Sequence, residues 1–193
     1  MTRKLLLLTI AIAAVSLALG AWLLLDERRA LGPAEGSESL ALDRDGLVRH
    51  LARNARDGRA WVLLARIDFE ADRFTEAADA YAKALAASPK VAADPGVWCE
   101  YADALGMAQG GTLAGKPREL IERALALAPG HPKALEMAGS AAYEQREYGV
   151  AAQYWSTLLA RIPAGTPAHR ELAAAVARAQ RLAVLAGSET QRR

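Results

Sequence analysis

Three histidines, one cysteine and three methionines are the side chains of this sequence best suited to hold a metal or a haem iron. Their spacing argues against both roles. His50, His131 and His169 lie far apart, with no cysteine or carboxylate at the short intervals a zinc site uses. Cys99 stands alone, which excludes an intramolecular disulfide, a Cys-x-x-Cys redox pair and a haem-attachment motif. Nothing pairs Met107 or Met137 as an axial haem ligand. Gly110-Gly111 lacks both the strand before and the Lys-Ser after that a phosphate loop needs. Neither a G-x-S-x-G elbow nor a zincin motif is present. The expectation is a protein with no metal, no cofactor and no catalytic residue, which acts by binding, not as an enzyme.

The 193 residues carry 24 basic and 22 acidic side chains, a formal net charge of +2. Arg3 and Lys4 are the only charges before Asp26, and without them the signs balance. A balanced, mixed surface offers no basic stripe for nucleic acid. Hydrophobic residues make up 52% and are mostly alanine and leucine, the composition of packed helices. An all-α chain is expected.

Residues 5–25 (LLLLTIAIAAVSLALGAWLLL) run for 21 positions without a charge. As a helix they would span roughly 31 Å, enough to cross a bilayer core of about 30 Å. A cleaved signal peptide is the alternative, with Ala18-Leu19-Gly20 as its site. The apolar run continues past that site through Trp22 to Leu25, which favours a retained anchor. Residues 1–4 are then cytoplasmic, 26–40 a linker rich in Gly, Pro and Ser, 41–187 a translocated domain, and 188–193 a tail.

The body repeats itself. A first copy reads Trp61, Leu64, Ala65, then Ala77, Tyr81, Ala84, and closes at Pro89, 28 positions after Trp61. A third copy reads Leu135, Ala138, Gly139, then Ala151, Trp155, Leu158, and closes at Pro163, again 28 positions on. The second is stretched: Trp98, Tyr101, Ala102 and Leu105, then Ile121, Ala124 and Pro129, 31 positions apart. Its excess falls in the glycine-rich stretch 109–117, and a second excess lies between Pro89 and Trp98. This is the tetratricopeptide-repeat (TPR) pattern: small residues let helices A and B of each unit approach, large ones fill the space beside them, and proline ends helix B. Asp68 departs from the pattern, standing where tyrosine is usual, with Phe69 beside it to compensate. Helices near 43–56 and from Thr166-Pro167 onward would cap the stack. The expected fold is an all-α TPR superhelix of about three repeats plus capping helices, with one N-terminal transmembrane helix.

Helix A of each copy should line a groove that takes an extended peptide or an amphipathic helix. The register projects Arg59, Val62, Arg66 and Phe69 from the first copy. From the second it projects Cys99, Asp103 and Met107, and from the third Lys133, Glu136, Ser140 and Tyr143. Each has a plainer use: Phe69 and Tyr143 as packing between repeats, Arg66 and Glu136 as solvated charges, Cys99 as a small buried hydrophobe. Trp61, Trp98 and Trp155 belong to the core.

The stretches YADALGMAQGGTLAGKP (101–117), LIERALALAPGHPKALEMAG (120–139) and YGVAAQYWSTLLARIPAGTP (148–167) go beyond the general repeat. In them the chain resembles the periplasmic TPR region of cytochrome c biogenesis proteins of the CcmI, CycH and NrfG type, over roughly residues 40–185. The resemblance implies a non-catalytic protein of the bacterial inner membrane with its TPR domain in the periplasm. It implies as partners the C-terminal segment of an apocytochrome c and the components of the haem lyase complex. Long members of that group carry two membrane helices and this sequence shows one. It leaves open general maturation or a single dedicated cytochrome, and a TPR scaffold for another envelope complex is the alternative.

Overall fold

The computed structural model describes residues 44–190, and all the regular structure among them is helical. The expected anchor at 5–25, with residues 1–4 and the linker 26–40, lies outside the described residues. No helix among those described is long and apolar enough to cross a membrane.

Among the described residues nine helices follow in order: α1 Arg44–Arg53, α2 Gly58–Glu70, α3 Phe74–Ala87, α4 Pro89–Ala92, α5 Pro95–Ala108, α6 Lys116–Leu127, α7 Pro132–Glu144, α8 Tyr148–Leu159 and α9 Pro167–Thr190. The pairs α2/α3, α5/α6 and α7/α8 are the three expected repeats. Local chemistry sets their starts. Asp57 caps α2 by accepting from Ala60 N–H at 3.0 Å. Asp94 caps α5 by accepting from Gly96 N–H at 2.8 Å. Proline fills the first turn of α5, α6 and α7, where its missing N–H costs no helical bond. The Ala60 N–H, and after it His50, hold the Asp57 carboxyl below the usual carboxylate range. A depressed pKa stabilises the fold above the unfolded value and loses that contribution as pH falls through the folded one. Asp57→Ala should therefore cost about 1 kcal/mol at neutral pH and weaken the acid dependence below about pH 4, measured by urea unfolding across pH.

Inside each repeat a small residue on helix A faces a large one on helix B. In the first copy Ala65 and Tyr81 are both buried, and in the second Ala102 and Ile121 are. The third takes this furthest: Gly139 leaves the room that the Trp155 indole occupies. Trp61 and Trp98 have matching surroundings. Trp61 Nε1 donates to Ala55 O at 2.9 Å and Trp98 Nε1 to Ala92 O at 2.8 Å, six residues back in each case. A cation from helix B lies over each ring, Lys83 at 4.9 Å from the Trp61 centroid and Arg123 at 5.7 Å from that of Trp98. Equivalent contacts at equivalent positions are what a true repeat requires.

Both excesses in the second copy have a structure. Between Pro89 and Trp98 the chain makes the one-turn helix α4, packed against the start of α2. A Cβ on Gly58 would fall 2.5 Å from Ser88 Cβ and 3.2 Å from Val91 Cγ2, so only glycine permits this approach. The glycine-rich stretch turns through Gly110, Gly111 and Gly115, all at positive φ. Glu144 at the end of α7 ties it down, accepting from Leu113 N–H at 2.9 Å and from the Thr112 hydroxyl at 3.2 Å.

Phe69, beside the position where tyrosine is usual, packs against the core of the first copy and edge-on against Phe74, with centroids 5.3 Å apart. Asp68 itself is buried at 1% exposure. Its Oδ1 accepts from Arg44 Nε of α1 and from Arg73 Nε of the α2–α3 turn, each at 2.7 Å. The departure from the repeat pattern is thus the anchor of the N-terminal capping helix. At the other end, α9 continues to Thr190, past the expected limit at 187, because nothing in 181–190 stops it beyond a single Gly187.

Candidate functional site

The three A helices stand side by side and polar bridges join them. Arg66 of α2 grips Glu100 of α5 with two bonds, Nε to Oε2 at 2.9 Å and Nη2 to Oε1 at 2.7 Å. The Tyr81 hydroxyl of α3 donates to the same carboxylate at 2.9 Å. Burial first, and then the Glu100 charge, hold that hydroxyl well above the usual phenol range. The hydrogen bond to Glu100 raises the Arg66 guanidinium as well. One repeat further on, Lys133 Nζ of α7 lies 3.9 Å from Asp103 of α5 and 3.8 Å from Glu136.

The projected residues are distributed along this row. Arg59, Val62 and Arg66 line a groove of about 400 Å³ between α2 and α5. Asp103, Lys133 and Glu136 form the ionic cluster between α5 and α7. Met107 is open to solvent at 42% exposure. Glu136 and Ser140 border a second cleft with Trp155, Leu158, Ile162 and Leu172, between α7, α8 and α9. Ser140 spends its hydroxyl on Glu136 O at 3.1 Å. Tyr143 meets the Tyr148 ring edge-on, with centroids 5.2 Å apart, and lies tilted 5.6 Å from Trp155, and Phe69 meets Phe74 edge-on in the same way. These two aromatics are packing residues first.

Cys99 is sealed at 1% exposure, with Sγ 3.9 Å from His131 Nδ1, and presents no surface to a partner. Burial pushes its thiol up to about 11. Two consequences can be measured. In the native chain Cys99 should react with iodoacetamide at pH 8 about a hundredfold more slowly than in urea, through the loss of thiolate alone. A raised thiol pKa stabilises the fold fully below the unfolded value and loses that contribution as pH climbs through the folded one. Stability should therefore fall between about pH 9 and pH 11, and Cys99→Ala should flatten that window in pH-dependent urea unfolding.

The groove also contains Leu63, Lys90, Val91, Asp94 and Val97, which the repeat register did not point to. Leu63 lies one turn past Arg59 and could have been read from that spacing. The rest come from α4 and the start of α5, inside the insertion whose position, but not whose structure, the sequence shows. Among the described residues no group of three or more His, Cys, Asp or Glu side chains could hold a metal ion.

A row of bridged A helices, backed by B helices through small-to-large contacts and opened by a groove, defines a tetratricopeptide-repeat binding scaffold. The chain belongs to the family described as the cytochrome c-type biogenesis protein H TPR domain, whose model matches residues 17–169. It is 33% identical over 139 residues to the cytochrome c-type biogenesis protein CycH of Bradyrhizobium diazoefficiens, covering 70% of this chain and 35% of that protein. It is 26% identical over 141 residues to the CycH protein of Pseudomonas aeruginosa, covering 73% of this chain and 34% of that one. The chain thus spans about a third of the length of the curated relatives it matches. Among solved structures the fold is similar to MamA, with a TM-score of 0.61 at 13% identity over 86% of this chain and 82% of that one.

Proposed function

We propose that this chain is a membrane-anchored TPR protein of cytochrome c maturation that holds the C-terminal segment of an apocytochrome c for the haem ligation machinery. The observation that carries this reading is the A-helix row itself. It offers an apolar groove between α2 and α5, then an ionic cluster at Asp103, Lys133 and Glu136. Alternating apolar surface and charge of both signs suits an amphipathic helix with charged flanks. The family and the two CycH relatives supply the maturation context. The apolar run at 5–25 supplies the anchor, which would place the repeats in the bacterial periplasm.

Holding by contact needs no reaction. A segment that orders as it binds gives up about 2–5 kcal/mol of contact energy, leaving affinity on the order of micromolar. Calorimetry on the full chain in detergent, titrated with the C-terminal helix peptide of a c-type apocytochrome, tests the reading. A dissociation constant near that range supports it. No heat of binding at high micromolar peptide contradicts it.

A further inference from the structure

The groove between α2 and α5 has an apolar floor of Val62, Leu63, Val91 and Val97. Its rim carries three cations, Arg59, Arg66 and Lys90, against one carboxylate, Asp94. Two of these four charges are already committed: Arg66 is held by Glu100, and Asp94 caps α5 through Gly96 N–H. Arg59 and Lys90 have no ion-pair or hydrogen-bond partner for their side chains among the described residues. Two uncommitted cations beside an apolar floor are the complement of a carboxylate attached to an aliphatic side chain.

We infer that this groove seats the terminal carboxylate of the bound segment. Arg59 and Lys90 take the carboxylate, and the valines and Leu63 take the last aliphatic side chain. The size of the groove favours a chain end over a through-running strand. At about 400 Å³ it is a pocket for a small ligand, too small for a whole helix. The Arg66–Glu100 bridge links α2 to α5, and Lys90 and Val91 of α4 line one side of the groove. The inference rests on the proposal that a C-terminal segment is the client, and it adds which end is read and by which residues.

The test compares two forms of one fluorescent peptide, the C-terminal helix of a c-type apocytochrome ending in an aliphatic residue, as free acid and as C-terminal amide. Binding to the full chain is followed by anisotropy. Amidation should weaken binding about fivefold to tenfold. The double variant Arg59→Gln/Lys90→Gln, with its fold checked by circular dichroism, should bind the free acid as weakly as the parent chain binds the amide. It should also no longer tell the two peptides apart. Equal affinity of the parent chain for acid and amide would overturn this inference and leave client binding standing. Retained discrimination by the double variant would overturn the assignment to Arg59 and Lys90. If neither peptide binds, this inference and the proposed function fall together.

Discussion

Gly139→Ala is expected to destabilise the domain by about 3 kcal/mol, the upper part of the range for overpacking a core. The added Cβ would overlap the Trp155 indole, so the ring would have to shift. Its Nε1 donates to Glu136 O at 3.2 Å, and its face lies 5.6 Å from the Tyr143 ring. Relief requires either losing these contacts or moving α8 off α7. At this chain length the loss corresponds to a fall in Tm of roughly 6–12 °C. Trp155→Ala should cost a similar amount, about 3 kcal/mol, by leaving a cavity where the indole was. The two effects share one contact, so the double variant should be more stable than the sum of the single losses predicts. Urea unfolding of all four chains checks this. Additive losses would mean that Gly139 and Trp155 do not depend on each other, and the repeat geometry of α7 and α8 would need another explanation.

Asp68→Ala should cost about 2–3 kcal/mol through the loss of two charge-assisted bonds, part of which the half-exposed arginines recover from water. Its effect should be local. Arg44 is one of two polar links from α1 to α2, the other being His50 to the capping Asp57, so amides of α1 should exchange faster in hydrogen-exchange mass spectrometry while those of α7 and α8 stay protected. Replacing both Arg44 and Arg73 should be worse than removing Asp68. It leaves a carboxylate at 1% exposure with no cation beside it. Uniform loss of protection across the chain on Asp68→Ala would contradict a capping role.

Much of this fold was legible because repeat physics leaves marks at fixed intervals. Trp61 and Trp98, or Ala65 and Gly139, are constrained by the same close approach of two helices, and spacing exposes that constraint. The three-residue excess after Pro89 was legible as an insertion. Its outcome was not, because a one-turn helix of four residues carries no periodicity to read. The site suffered most from this: Lys90, Val91 and Asp94 form one wall of the groove and come from that insertion. Cys99 shows a second limit. A register assigns a residue to helix A, but neighbouring helices decide which side of helix A is covered, and His131 covers Cys99. Asp68 shows a third. A charged residue at a core position reads as a flaw until its partners are known, and these lie 24 and 5 residues away in opposite directions.

In the proposed function the A-helix row, not the outer B-helix face, carries the bound polypeptide. The most direct measurement places a photoreactive benzoylphenylalanine at Leu63, in the groove, or at Ala126, exposed on α6, in the full chain. Each chain is then irradiated with an apocytochrome C-terminal peptide. Crosslinking from position 63, lost on adding excess unlabelled peptide, with none from 126, is the predicted result. Crosslinking from 126 with position 63 silent would contradict the account.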